Sequence, residues 1–127
     1  YLPADWLAQA GIAPADPMAP STRPALAGVT QRTAALAARY EESARRGTPA
    51  LPFRSAWAVL AAAGIYGGIA RHVAADPAAA LAHRVYTSKW EKLGWLLRAA
   101  AQSAARTTRY PPAQRAADLW QRPVGSI

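Results

Sequence analysis

The chain has no cysteine, one methionine, one phenylalanine and only 7 acidic residues among 127. Without cysteine it holds no disulfide, thiolate nucleophile, Cys-ligated zinc or iron–sulfur cluster of its own, and its redox compartment stays open. A hard-cation site needs clustered carboxylates. No two of Asp5, Asp16, Glu41, Glu42, Asp76, Glu91 and Asp118 lie three or four residues apart, so none share a helical face and no metal ligand is expected. His72 and His83 stand alone, and no Ser or Thr is paired in sequence with a histidine and a carboxylate, so no catalytic residue is assigned. Long apolar runs are lacking too. The longest uncharged stretch, 55–70, has 16 residues, against roughly 20 for a bilayer span; a buried core helix is expected there. The opening Tyr1-Leu-Pro-Ala-Asp has no Met, basic region or apolar region. It is not expected to be a signal peptide and reads as a cut inside a longer protein.

What the chain does have is alanine, 34 residues of it, with 52% hydrophobic and 17% charged residues. That composition can bury a core and favours helix. The formal charge of +8 is uneven. Residues 1–20 carry two acids and no bases (−2), residues 21–83 seven bases and three acids (+4), and residues 84–127 eight bases and two acids (+6). A cationic C-terminal third suits nucleic acid, an anionic membrane surface or a phosphorylated small substrate, and composition does not choose among them.

Punctuation divides the chain into helices. Pro3 opens a short helix through Ala10 with Gly11 as its stop, and Pro14, Pro17 and Pro20 make 12–23 a linker. A second helix starts near Pro24; Leu26, Val29, Thr33, Leu36 and Tyr40 form its buried stripe and Gly47 its cap. The tight connection Thr48-Pro-Ala-Leu-Pro predicts an antiparallel third helix from Phe53 to Ala75, ending before Asp76-Pro77. Ala61, Ala62, Ala63, Gly64, Gly67, Gly68 and Ala70 crowd its middle, which fits either tight helix packing or the wall of a ligand cavity. A loop is expected after Asp76. Ser88-Lys-Trp-Glu91 has the form of a capping box opening a fourth helix to about Arg106 that buries Leu93, Leu96, Leu97 and Ala100. A short helix around 113–120 is the last element, and no strand or repeat is visible.

Tyr66, Arg84, Lys89 and Lys92 supply the donors a diphosphate needs, and the start of the fourth helix adds its positive end. A solvated helix face and a core tyrosine explain the same residues. With Trp90, Trp95 and Tyr110 among the cations, a basic helical nucleic-acid-binding module is an alternative. Five tryptophans also suit a membrane interface.

Several short motifs narrow the choice. Tyr1-Leu-Pro-Ala-Asp-Trp-Leu-Ala-Gln-Ala-Gly-Ile, Arg39-Tyr-Glu-Glu-Ser-Ala, Pro49-Ala-Leu-Pro, Gly64-Ile-Tyr66 and Arg84-Val-Tyr-Thr-Ser-Lys with Lys92-Leu93 occur in order. Together, over roughly residues 1–95, they resemble the C-terminal part of bacterial members of the squalene/phytoene synthase family of head-to-head prenyltransferases. The resemblance implies an all-α isoprenoid synthase fold, of which this chain would form about four to five helices, incomplete without the N-terminal helices. Residues 1–110 would belong to that domain and 111–127 form a weakly structured tail. It implies condensation of two geranylgeranyl diphosphates to phytoene through prephytoene diphosphate; a farnesyl-diphosphate-using squalene or dehydrosqualene synthase is the alternative. Tyr66, Arg84 and, more loosely, Lys92 would bind the substrate diphosphate, and Ala63, Gly64 and Gly67 would line the cavity. Mg²⁺ would be held by two aspartate-rich motifs absent from this chain, which alone should be inactive. The implied partners are a prenyl diphosphate, the N-terminal part of the same enzyme and, peripherally, a membrane; nucleic acid is not expected. The implied location is cytoplasmic, with contact at the inner face of the cytoplasmic membrane as an option.

Overall fold

The computed structural model describes residues 2–13, 15–83 and 86–119. Among them there are six α-helices, three short 3₁₀ turns and no strand. Helix α1 (Ala4–Gln9) begins after Pro3. It ends where Gly11, at φ 69°, turns the chain so that the Ile12 N–H bonds to Leu7 O at 2.9 Å; that left-handed φ is one glycine takes without a Cβ clash. Ile12 then buries against Leu26 and Val29, with Trp6, Leu7 and Leu81 packed around them. The Arg32 guanidinium lies 3.9 Å from the Trp6 ring centroid and its Nη1 donates to Gln9 Oε1, docking α1 on the second helix.

Helix α2 (Arg23–Gly47) has 25 residues and so a length of about 37 Å. Leu26, Val29 and Ala34 are buried, Thr33 and Leu36 half-buried, and Tyr40 largely exposed. The expected stripe thus holds in the first turns and fails at Tyr40. Gly47 is not a left-handed cap. The helix runs through it into a 3₁₀ turn at Thr48–Ala50, where the fully buried Thr48 hydroxyl donates to Arg45 O at 2.7 Å. Leu51 is extended, and α3 (Phe53–Ala75) starts after Pro52, with the bounds its flanking prolines predict.

Helix α3 packs between α2 and α5 (Lys89–Ala104) and buries Ala56, Leu60, Ala61, Gly64 and Gly67. Phe53, Trp57 and Tyr66 stay exposed, so the buried-core expectation holds for one side of the helix only. By length and composition α3 could also cross a membrane, a weak sign that core helices share. Asp76 ends α3 and caps α4 (Pro77–Ala82), its carboxylate accepting from the Ala79 N–H at 2.9 Å. A helix therefore stands where a loop was expected: Asp76 as N-cap followed by Pro77 is a helix start, and the alanines continue it.

The capping box forms as read: Ser88 Oγ accepts from the Glu91 N–H at 3.1 Å, and the Glu91 carboxylate from the Ser88 N–H at 2.7 Å. These hydrogen bonds, backbone first, hold the exposed Glu91 carboxyl below the usual carboxylate range. The buried side of α5 is not the leucine side. Leu93, Leu96 and Leu97 are 46%, 39% and 67% exposed, whereas Ala99, Gln102 and Ser103 are buried and Ala100 half-buried. The contacts with α3 run along the α5 line Trp95, Ala99 and Ser103, at four-residue spacing, with the Trp95 indole seated on Gly64. Ala99 meets Leu60 and Ala61, the Ser103 hydroxyl donates to Phe53 O at 2.9 Å, and Trp57 Nε1 donates to Leu96 O at 2.9 Å. Leu93 and Leu97 point away from this line, and Leu96, three residues before Ala99, sits at its edge. Helix α6 (Arg106–Arg109) follows a break at Ala105. The short helix expected around 113–120 is not seen among the described residues: 111–116 hold no helix and Ala117–Leu119 makes a 3₁₀ turn, while Trp120 lies outside them. The segment nonetheless touches α2, through Asp118 with Arg39 at 2.6 Å and the Arg115 Nε donating to Ser43 Oγ at 2.7 Å.

Candidate functional site

Small residues at helical spacing decide where α2 and α3 leave space. Ala37, Tyr40 and Ala44 of α2 face Val59, Ala62, Ala63, Tyr66, Gly67 and Ala70 of α3 across an open groove of about 400 Å³. Its lining is almost wholly apolar, with Glu41 at the floor and the two phenols at the edges. Tyr66 is 70% exposed, which leaves its hydroxyl accessible to a charged group at the mouth. A narrow apolar trough with a polar donor at its rim suits a ligand with a hydrocarbon tail and an anionic head.

Of the residues singled out by sequence, Ala63, Tyr66 and Gly67 come together in this groove. Gly64 does not line it. A Cβ there would lie 2.5 Å from Trp95 Cε3 and 2.9 Å from Cδ2, so its missing side chain makes the seat on which α5 lays its indole. Gly67 serves both ends, since a Cβ on it would also collide with the Glu41 carboxylate. Tight packing thus accounts for Gly64, and packing together with an open wall for Gly67. Lys92 is exposed on α5 and is not among the groove residues. Arg84 lies outside the described residues.

The sequence reading missed a polar centre beneath the groove. Glu41 Oε1 accepts from Arg45 Nη2 at 2.7 Å and from Nε at 3.1 Å. Arg45 Nη1 also donates to Gln102 Oε1 at 3.2 Å and Tyr110 Oη at 3.3 Å. Arg71 reaches both Glu41 oxygens at 3.5 Å. Burial alone would weaken the Arg45 charge, but the hydrogen bonds it donates to Glu41 and Tyr110, with the Glu41 charge, more than offset it, holding this guanidinium above its ordinary pKa. The network ties α2, α3, α5 and the Tyr110 turn together, and its one sequence sign is the four-residue spacing of Glu41 and Arg45.

The chain's carboxylates do not fit a magnesium site. Glu41 is held by two arginines, Glu42 by Arg46, Asp118 by Arg39, and Asp76 and Glu91 cap helices. Among the described residues no three potential ligands gather around a common point.

Comparison with known proteins gives a consistent answer. The family model for squalene/phytoene synthase matches residues 1–91. The 15-cis-phytoene synthase of Enterobacter agglomerans is 42% identical over 125 residues, covering 98% of this chain and 42% of the relative. The phytoene synthase of Pseudescherichia vulneris is 43% identical over 125 residues, 98% of this chain and 40% of the relative. That of Rhodobacter capsulatus is 34% identical over 116 residues, 91% of this chain and 34% of the relative. The chain therefore spans less than half the length of the curated relatives it matches. No solved structure matches.

Proposed function

The chain belongs to the squalene/phytoene synthase family, and on that premise we propose that it is part of a head-to-head prenyltransferase joining two geranylgeranyl diphosphates to phytoene. Its share of the work is to supply cavity wall and diphosphate ligands. The observation that carries this reading is the groove itself: an apolar trough between α2 and α3 lined by Ala63 and Gly67 together with the largely exposed Tyr66 phenol. There the prenyl chain lies along the small residues while the Tyr66 hydroxyl donates to a diphosphate oxygen. Arg84 is proposed as the guanidinium that grips the same group bidentately, with Lys92 adding charge from α5. Donors that offset the negative charge growing on the departing diphosphate favour its ionisation in a site from which water is excluded. Mg²⁺, on this reading, is held by the part of the enzyme outside this chain.

Residues 1–110 are proposed as part of the synthase domain and 111–127 as its tail. The outward stripe of α5, Trp90, Leu93 and Leu97 between Lys89 and Arg98, supports peripheral contact with a membrane on the cytoplasmic side. Kinetics of the complete enzyme test the site. Tyr66→Phe and Arg84→Ala should each lower kcat for geranylgeranyl diphosphate by about 100- to 1,000-fold, the range seen on removing a transition-state hydrogen-bond donor. An unchanged kcat in both variants would remove these residues from the diphosphate site.

A further inference from the structure

On another side of the α2–α3 pair, a depression of about 650 Å³ collects one arginine from each of four helices: Arg45 of α2, Arg71 of α3, Arg98 of α5 and Arg109 of α6. It shares Glu41 with the groove of Tyr66, but neither Tyr66 nor Lys92 lines it. Glu41 offsets Arg45 at 2.7 Å, while Glu42 is taken by Arg46, also at 2.7 Å. Arg71 has only the long 3.5 Å contact to Glu41. Arg98 and Arg109 have no carboxylate within 4 Å among the described residues. The Arg71 and Arg98 guanidiniums moreover converge on the same Trp95 ring, 5.6 and 5.5 Å from its centroid. Both guanidiniums therefore lie within cation–π reach of one indole, with only the long Arg71–Glu41 contact to offset their charge.

We propose that this cluster is a binding site for a multivalent phosphate group, either free diphosphate or the phosphate head of an anionic lipid. Guanidinium forks match phosphate oxygens bidentately, and cation–π attraction to Trp95 keeps Arg71 and Arg98 close to one point. Tyr110 Oη accepts its hydrogen bond from Arg45, so its own proton is available to a phosphate oxygen. With Glu42 neutralised by Arg46, four cations against Glu41 leave a surplus of three positive charges, which favours a multiply charged anion over a simple carboxylate. The site shares Glu41 with the proposed catalytic groove, but its donors are other residues and the proposal does not rest on that reading.

The test uses the 127-residue chain labelled with 5-fluorotryptophan, the Trp95 fluorine resonance being assigned with Trp95→Phe. At 0.15 M salt, where diffuse attraction is screened, inorganic diphosphate and vesicles of phosphatidic acid in phosphatidylcholine are titrated separately, with pure phosphatidylcholine vesicles as blank. A saturable Trp95 shift with diphosphate, with a Kd of about 1 mM or tighter, assigns the free anion. A shift or co-sedimentation with the acidic vesicles alone assigns the lipid head, and a response to both assigns their common phosphate. Arg98→Gln with Arg109→Gln should weaken binding about tenfold or more, and Arg98→Lys, which keeps the charge but loses the fork, by a smaller factor. The charge-matched pair Arg23→Gln with Arg54→Gln, outside the depression, should leave it unchanged. No saturable response to either titrant, or equal weakening by the two double variants, overturns the proposal.

Discussion

Replacing Gly64 by alanine sets two opposing effects of known size against each other. Inside an exposed helix the exchange is favourable by roughly 1 kcal/mol, because alanine loses less backbone freedom. Gly94 of α5 is the control: it is helical and exposed, and a Cβ there meets nothing within 4 Å. At Gly64 the new methyl would sit 2.5 Å from Trp95 Cε3, where carbon atoms prefer about 3.5–4.0 Å. The indole, half-buried and flanked by Arg71 and Arg98, must withdraw by about 1 Å or more to restore that separation. Such a withdrawal pulls on the Ser103–Phe53 and Trp57–Leu96 hydrogen bonds along the same helix pair. Overpacking of this kind costs about 1–3 kcal/mol, so the net loss for Gly64→Ala is about 1 kcal/mol after the helix gain is counted. For a domain of this size that is a fall of roughly 4 °C in Tm, against a rise of about the same size for Gly94→Ala. Gly68, whose added Cβ would meet Trp95 Nε1 at an ordinary 3.6 Å, should follow Gly94. Urea unfolding monitored by circular dichroism, with Tm as a second readout, orders the variants. Equal stability of Gly64→Ala and Gly94→Ala would show that Trp95 does not sit on Gly64. A non-additive recovery in Gly64→Ala with Trp95→Leu would show that the two positions touch.

Other outcomes follow from the same contacts. Glu41→Ala leaves the mostly buried Arg45 with only Gln102 and Tyr110 as partners. It should lower the unfolding free energy by about 2 kcal/mol, less than the cost of fully orphaning a buried charge; urea titration reads this directly. Ser103→Ala removes the hydrogen bond to Phe53 O from a fully buried position and should lose about 1 kcal/mol, with little change in m-value. The depressed Glu91 carboxyl contributes stability above its unfolded pKa, and that contribution is lost as the pH falls through the lower folded value. Amide exchange in the first turn of α5 should therefore accelerate in the acid range below the ordinary glutamate pKa. Ser88→Ala should shift the onset to higher pH, and a pH-independent onset in both proteins would refute the coupling.

The bounds of α3 were legible because Pro52 and Asp76-Pro77 leave the backbone few options, and the start of α5 because Ser88 and Glu91 satisfy each other locally. Helix α4 had the same kind of signal in Asp76 and Pro77, but alanines at 78–80 carry no apolar periodicity to mark a helix face. The buried side of α5 was not legible for a different reason. Leucines mark a side that can be buried, while the choice of side belongs to the partner, and α3 here takes the line of Trp95 on Gly64, Ala99 on Leu60 and Ser103 on Phe53 O. Of the candidate site, Tyr66, Ala63 and Gly67 were recognisable because family motif and small-residue spacing coincide on one helix. The Glu41–Arg45–Tyr110 centre joins residues 65 positions apart, which no local pattern encodes.

Reconstitution tests the central claim most directly. The chain is assayed alone and mixed with a separately purified fragment of the same family that carries the two aspartate-rich motifs, with Mg²⁺ and geranylgeranyl diphosphate, for formation of a C40 hydrocarbon. The account predicts product from the mixture only, and its loss when the chain carries Arg84→Ala. No product from a mixture shown by light scattering to associate and by circular dichroism to be folded would contradict it, as would product from farnesyl diphosphate and none from geranylgeranyl diphosphate.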